Sequence, residues 1–155
     1  MQRQLFGAAV GYKALRELRE ATAPIARRTR FWGHQRDVAP AYRAFDYLLP
    51  GLPEREALGL NVIESSLLGT PVLAVRAPPF DETVSDGGNG FLYTDPRRDG
   101  GRDFARVLDG ILSGEFRPDL PATAAHLAQF SFDRFAGRAD AAMRAAAAAA
   151  RAAAR

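Results

Sequence analysis

Glu56-Ala57-Leu58-Gly59-Leu60-Asn61-Val62-Ile63-Glu64 runs without a break into Ser65-Ser66-Leu67-Leu68-Gly69-Thr70-Pro71-Val72-Leu73-Ala74. Two carboxylates bracket a Gly-Leu step. An apolar helix pattern follows, and Gly69 and Pro71 end it before an apolar strand. Glycine takes the left-handed conformation after a last helical turn, and proline cannot continue a helix. The pattern predicts a helix over 60–68 and a strand over 72–75. Gly59 has no Cβ, so backbone there can approach a ligand closely. A helix starting at that point turns the amides of Leu60 and Asn61 outward. Those amides and the helix dipole favour an anion such as a phosphate. Glu64 falls one turn inside the helix, suited to accept hydrogen bonds from the two hydroxyls of a ribose. Glu56 sits before the helix, where it can receive sugar hydroxyls. The plainer alternative leaves Glu56 as a charge favouring a helix N-terminus and Glu64 as a solvated carboxylate.

Outward from this unit, strand and helix patterns alternate. Gln4 to Val10 is a short apolar run with strand character. Tyr12 to Thr22, with Leu15 and Leu18 among charges, reads as an amphipathic helix. Arg30 to Trp32 ends a strand, Val38 to Phe45 is a short helix, and Tyr47-Leu48-Leu49 is a buried strand stopped by Pro50-Gly51. Further on, a strand is expected at Phe91 to Tyr93. Helices are expected at Phe104 to Leu112, at Leu120 to Phe130 and from Asp133 onward. Asp81 and Glu82, after Pro78-Pro79, read as a turn opening a short helix rather than an acid–base pair. Such alternation predicts an α/β fold with a doubly wound parallel sheet. Ligands of such sheets bind beyond the carboxyl ends of the strands, and the Glu56–Glu64 segment follows the strand at Tyr47. The expected organisation is a Rossmann-like domain over 1–135 and an Ala/Arg-rich helical tail over 136–155.

Composition narrows the function. The chain has 155 residues and no cysteine, which excludes disulfides and thiolate metal sites. With only His34 and His126, a histidine metal cluster is not credible, and no metal or cofactor is expected. No apolar run reaches the ~20 residues of a membrane span, and Met1-Gln2-Arg3-Gln4 opens no secretory signal, so a cytoplasmic location is expected. The net charge of +3 is almost wholly arginine interspersed with Asp and Glu, which argues against nucleic acid. A mildly basic surface suits an anionic ligand, with at most peripheral contact to an anionic membrane. The tail from Ala141 to Arg155 has high helix propensity and almost no apolar face.

Several segments, in order, resemble one family. Glu56 and Glu64 match the two carboxylates of a Glu-x7-Glu motif, and Gly59, Leu60, Gly69, Pro71 and Val72 match its remaining positions. Leu58 stands for the usual Phe and Ser65 for the usual Ala. Arg30-Phe31-Trp32-Gly33 is similar to a "V-x-F-x-G" strand end, and Ala41-Tyr42-Arg43-Ala44-Phe45-Asp46 to a "Y-x-x-A-D" helix end. Glu82 to Gly87 with Asn89 to Tyr93 is similar to "E-x-V-x-D-G-x-x-G-x-L-V". Phe130-Ser131-Phe132 is similar to the "F-S-W" that opens a last helix. Over residues 25 to 135 the chain thus resembles the C-terminal, nucleotide-sugar-binding domain of the retaining GT-B glycosyltransferases called "glycosyl transferases group 1". It departs from that pattern at Pro78-Pro79, where the family has Gly-Gly. Proline carries no amide to donate to a phosphate. The Arg and Lys that clamp the diphosphate in the family have no counterpart in matching context, and neither Arg3 nor Lys13 is assigned to that role.

The resemblance implies hexosyl transfer with retention from a UDP- or GDP-linked sugar, without a metal, in surface polysaccharide or glycolipid synthesis. By the same resemblance Glu56 is the catalytic-site carboxylate facing the donor sugar. Gly59, Leu60 and Asn61 hold the diphosphate, Glu64 holds the ribose, and His34 and Gln35 lie beside the base. Family members carry a further N-terminal acceptor domain, so the expectation is a chain truncated on that side, acting with a separate acceptor-domain polypeptide. The alternative is a non-catalytic nucleotide-binding remnant.

Overall fold

The computed structural model describes residues 35–51 and 56–153, with the isolated positions 23 and 28. The strands expected at Gln4–Val10 and Arg30–Trp32, and the helix at Tyr12–Thr22, lie outside these residues. The chain divides into two units, 1–38 and 39–155. The first contributes the exposed stretch Gln35–Val38.

The second unit opens with α1 (Ala39–Arg43), inside the span expected for a helix. Then come α2 (Leu60–Leu67), β1 (Val72–Val75), α3 (Phe80–Thr83) and β2 (Gly90–Tyr93). They are followed by α4 (Pro96–Asp99), α5 (Arg102–Ser113), a 3-10 turn (Pro121–Thr123), α6 (Ala124–Ala128) and α7 (Phe132–Ala153). Only α4 was not expected. Its start is local chemistry: Asp95 accepts a bond from the Arg97 amide at 2.9 Å, and Pro96 occupies the first helical position. The single helix expected over 120–130 divides into the 3-10 turn and α6. Ser131 opens α7, its carbonyl accepting from the Phe135 amide at 3.0 Å, where the "F-S-W" likeness puts a helix start.

β1 and β2 pair in parallel, Val72 opposite Gly90 through Val75 opposite Tyr93. All eight of these residues are buried. An uninterrupted apolar run such as Val72-Leu73-Ala74-Val75 suits a parallel strand covered on both faces. Alternation divides the core accordingly. Val72, Ala74 and Leu92 face one way and pack with Val62 of α2, Phe80 of α3 and Val84. Leu73, Val75, Phe91 and Tyr93 face the other way, against Val107, Phe104 and Ile111 of α5 and Phe116. Helices therefore cover both faces of a parallel sheet, the α/β architecture expected.

One expected strand shrinks to a point. Of Tyr47-Leu48-Leu49, only Leu48 bridges β1, in parallel, opposite Val72. Its amide donates to Pro71 O at 2.9 Å and its carbonyl accepts from the Leu73 amide at 2.8 Å. The next rung of a parallel ladder needs an amide at residue 50, and Pro50 has none.

Beneath α2 lies a polar layer. The wholly buried Asn89 donates from Nδ2 to Ser66 Oγ and to Thr83 O, both at 3.0 Å, and accepts from the Ser85 amide at 2.7 Å. Ser65 Oγ donates to Thr70 O at 2.9 Å, and Thr70 Oγ1 donates to Tyr42 O. A buried serine is tolerated where its hydroxyl is satisfied, which accounts for Ser65 at a position where the family pattern has alanine. His126 is structural too, with Nε2 at 3.3 Å from Thr83 O and its ring edge-on to Phe130.

Helix α7 is 22 residues long and runs unbroken through the boundary at 135/136 drawn from composition. None of its residues is buried, and Phe132, Phe135 and Met143 are exposed. No helix of the described residues is long and apolar enough to cross a membrane.

Candidate functional site

The open end of α2 is where the sequence-predicted groups meet. Gly59 caps it in the left-handed conformation, φ 73° and ψ 52°. Its carbonyl accepts from the Val62 amide at 2.9 Å, and Asn61 Oδ1 accepts from that same amide at 3.0 Å. The third amide of the helix is thereby satisfied internally. The first two, on Leu60 and Asn61, have no partner among the described residues. They form a small cluster of donors at the positive end of an eight-residue helix.

Glu56 folds back over the loop before that end. Its Oε1 accepts from the amides of Gly59 (2.9 Å), Ala57 (3.0 Å) and Leu58 (3.3 Å). These bonds, the Gly59 amide foremost, hold its carboxyl below the ordinary value of 4.5, so it stays ionised. Oε2 takes part in none of these bonds. The residue thus fixes the Ala57–Gly59 turn with one oxygen, a duty that spacing alone did not disclose, and its other oxygen has no partner among the described residues.

Glu64, one turn into α2, is exposed, and its Oε2 accepts from the Tyr42 hydroxyl at 3.3 Å. Tyr42 belongs to the "Y-x-x-A-D" likeness but carried no expected role. Its pairing with Glu64 across 22 positions is a tertiary fact that no local pattern announces. Burial pushes the Tyr42 phenol above its ordinary value, with the Glu64 carboxylate adding to the effect, so the hydroxyl remains a donor. Leu60 is exposed and Asn61 is half-buried. Gln35 is exposed and belongs to the 1–38 unit, and His34 lies outside the described residues.

Gly59 has a further constraint. A Cβ built there would stand 3.1 Å from Phe80 Cε1 and 3.3 Å from Cδ1. The glycine is therefore required by its own backbone and by the packing of α3, besides any need for a ligand to come close.

An open cavity of about 250 Å³ lies against α5, lined by Asp86, Phe91, Arg106, Val107 and Phe116 among others. It contains none of the sequence-predicted site residues, and its Arg106 is bound to Asp103 at 2.8 Å. The α2 end, though open rather than enclosed, gathers two amides without partners among the described residues and two carboxylates, the groups that can recognise a phosphorylated polyol.

Comparison with known proteins gives the family and the fold. Residues 5–113 match the family described as "Glycosyl transferases group 1". A D-inositol 3-phosphate glycosyltransferase of Streptomyces scabiei is 38% identical over 109 residues, covering 64% of this chain and 22% of that protein. Two crystal structures of Anabaena HepE, one with UDP and one with UDP and glucose, share the fold with TM-scores of 0.72 and 0.70 at 22% and 21% identity. Each alignment covers 89% of this chain and 38% of HepE. The chain thus spans about a fifth of the curated relative and well under half of HepE.

Proposed function

Because the chain belongs to the glycosyl transferases group 1 family, we propose that it binds the donor in hexosyl transfer from a nucleoside diphosphate sugar, with retention of configuration. One observation carries the reading. The amides of Leu60 and Asn61, without a partner among the described residues, open beside the Glu56 turn, with Glu64 one turn behind them. The diphosphate sits on the two amides, which stabilise charge as the leaving group departs. Preorganised backbone donors of that kind need no reorganisation during the reaction. Glu64 accepts the ribose hydroxyls. That task reconciles a carboxylate with a nearby phosphate, because it faces hydroxyls rather than the anion. Oε2 of Glu56 receives donor-sugar hydroxyls while Oε1 holds the turn rigid. His34 and Gln35 are assigned to the neighbourhood of the base.

The donor is UDP- or GDP-linked, and UDP is the first nucleotide to test because UDP occupies the HepE structures. Acceptor recognition is assigned to a second domain, in the same polypeptide or a separate one, and surface polysaccharide or glycolipid synthesis is the proposed setting. Pro78-Pro79 offers no amides where the family has Gly-Gly, so the α2 end is the backbone anion site proposed among the described residues.

Calorimetric titration with UDP, GDP and UDP-glucose tests the reading. Glu64→Ala should weaken nucleotide binding by about 1.5–3 kcal/mol, the scale of hydrogen bonds to a charged group. Equal affinity in a folded variant would remove Glu64 from the site.

A further inference from the structure

We propose that Tyr42 is a positioning residue for nucleotide recognition: its hydroxyl, donated to Glu64 Oε2, holds that carboxylate in the orientation that receives the ribose. The inference rests on the assignment of Glu64 to the ribose and adds a residue to that site. A glutamate on an exposed helix face has three rotatable bonds. Left free, it must give up that freedom when it binds. In this chain it is tethered before any ligand arrives, at 3.3 Å, to a phenol that is itself fixed. Tyr42 is 9% exposed, and its carbonyl accepts from the buried Thr70 Oγ1. Thr70 in turn follows α2 and accepts from Ser65 of that helix. The ring thus stands on the same buried framework as the helix bearing Glu64, so the two move as one body.

The chemistry also divides the carboxylate sensibly. A phenol donates a single hydrogen bond and occupies one lone pair of Oε2. Oε1 and the remaining lone pair stay open, enough for two adjacent hydroxyls. Because burial and the Glu64 charge keep the phenol protonated, the tether persists at neutral pH. Preorganisation of this kind raises affinity by reducing what must be ordered on binding.

The test uses Tyr42→Phe, which keeps the ring and removes only the hydroxyl. UDP and 2′-deoxy-UDP are titrated calorimetrically into wild type, Tyr42→Phe and Glu64→Gln, with melting curves of all three. Tyr42→Phe should weaken UDP roughly three- to tenfold, the size of one hydrogen bond. It should weaken 2′-deoxy-UDP, which keeps only one of the two hydroxyls, by a smaller factor, so that discrimination between the two ligands falls. A merely structural tyrosine would shift both ligands alike, or shift melting alone, and either result would overturn the inference. If Glu64→Gln weakens UDP and Tyr42→Phe does not, the positioning role fails while the ribose role of Glu64 stands. GDP and 2′-deoxy-GDP are titrated alongside; if each nucleotide binds equally to all three proteins, or neither binds to any, the ribose assignment fails and the inference with it.

Discussion

Gly59 and Gly69 flank the same helix, and substituting alanine at each separates two costs that are usually entangled. Both glycines are left-handed, with φ of 73° and 88°. A Cβ at Gly69 meets nothing within 4 Å, whereas one at Gly59 meets Phe80 at 3.1 and 3.3 Å. Gly69→Ala should therefore cost only the left-handed term, about 1–2 kcal/mol. Gly59→Ala carries that term and an overpacking term of about 1–3 kcal/mol, together roughly 2–5 kcal/mol. The gain from stiffening the unfolded chain is common to both variants and cancels in the comparison. At roughly 2–4 °C per kcal/mol for a chain of this size, Gly69→Ala should lose about 2–8 °C in melting temperature and Gly59→Ala about 4–20 °C. Differential scanning calorimetry of the two variants and of Gly59→Ala in a Phe80→Leu background gives the answer. The excess at Gly59 should shrink when the ring is gone. Equal losses in the two single variants would refute the packing argument, and no loss in Gly69→Ala would refute the backbone one. The comparison also bears on function. A bulkier residue at 59 disturbs the cap, the Phe80 contact and the amide that holds Glu56, so its effect on binding is not a pure measure of ligand approach.

Glu56→Gln should weaken UDP-glucose while leaving UDP nearly unchanged, read by titration with each ligand; equal weakening of both would show that Glu56 does not face the sugar. The carboxyl of Glu56 is lowered by the Gly59, Leu58 and Ala57 amides, so its contribution to stability is complete above the ordinary value of 4.5 and fades as pH falls through its depressed one. The melting difference between wild type and Glu56→Gln should accordingly be constant near neutrality and diminish in acid, and a difference that grew in acid would contradict the bonding described. Gly90→Ala would place a Cβ 2.1 Å from Val72 O, against backbone that cannot yield. Loss above about 4 kcal/mol, or failure to fold, is expected in urea denaturation, and a variant melting like wild type would negate the β1–β2 register. Asn89→Ala strands Ser66, Thr83 and the Ser85 amide and should cost about 2–4 kcal/mol by the same method; a cost near zero would mean water replaces the side chain.

Most of this architecture was legible because the signals are local. Gly69 followed by Pro71 marks the end of α2, and the apolar run Val72–Val75 after it reads as a strand, whose burial on both faces only the structure shows. Pro50 marks where the Leu48 strand stops, but three apolar residues in a row do not show that the ladder is already reduced to one bridge, with Leu49 exposed. α4 went unnoticed because a four-residue helix has no periodicity and is announced only by Asp95 before Pro96. At the site, spacing brought Gly59, Leu60, Asn61 and Glu64 to one helix end. It could not show that Glu56 would turn back onto its own backbone, since that depends on the path of three successive amides. Nor could it connect Tyr42 with Glu64, a pairing that exists only once α1 and α2 pack.

The polar layer under α2 bears on how the helix is aimed. An apolar seam resists separation strongly but resists twisting weakly, because methyl groups slide past one another at nearly constant energy. Ser65 and Ser66 replace that slippery seam with directional links to Thr70 and Asn89. Advancing the helix by one residue would turn it by about 100° about its axis, breaking both links and swinging Glu64 away from Tyr42. The helix is thus indexed like a key in a slot: hydroxyl geometry, added to the packing of Val62, sets its azimuth and with it the bearing of the Leu60 and Asn61 amides.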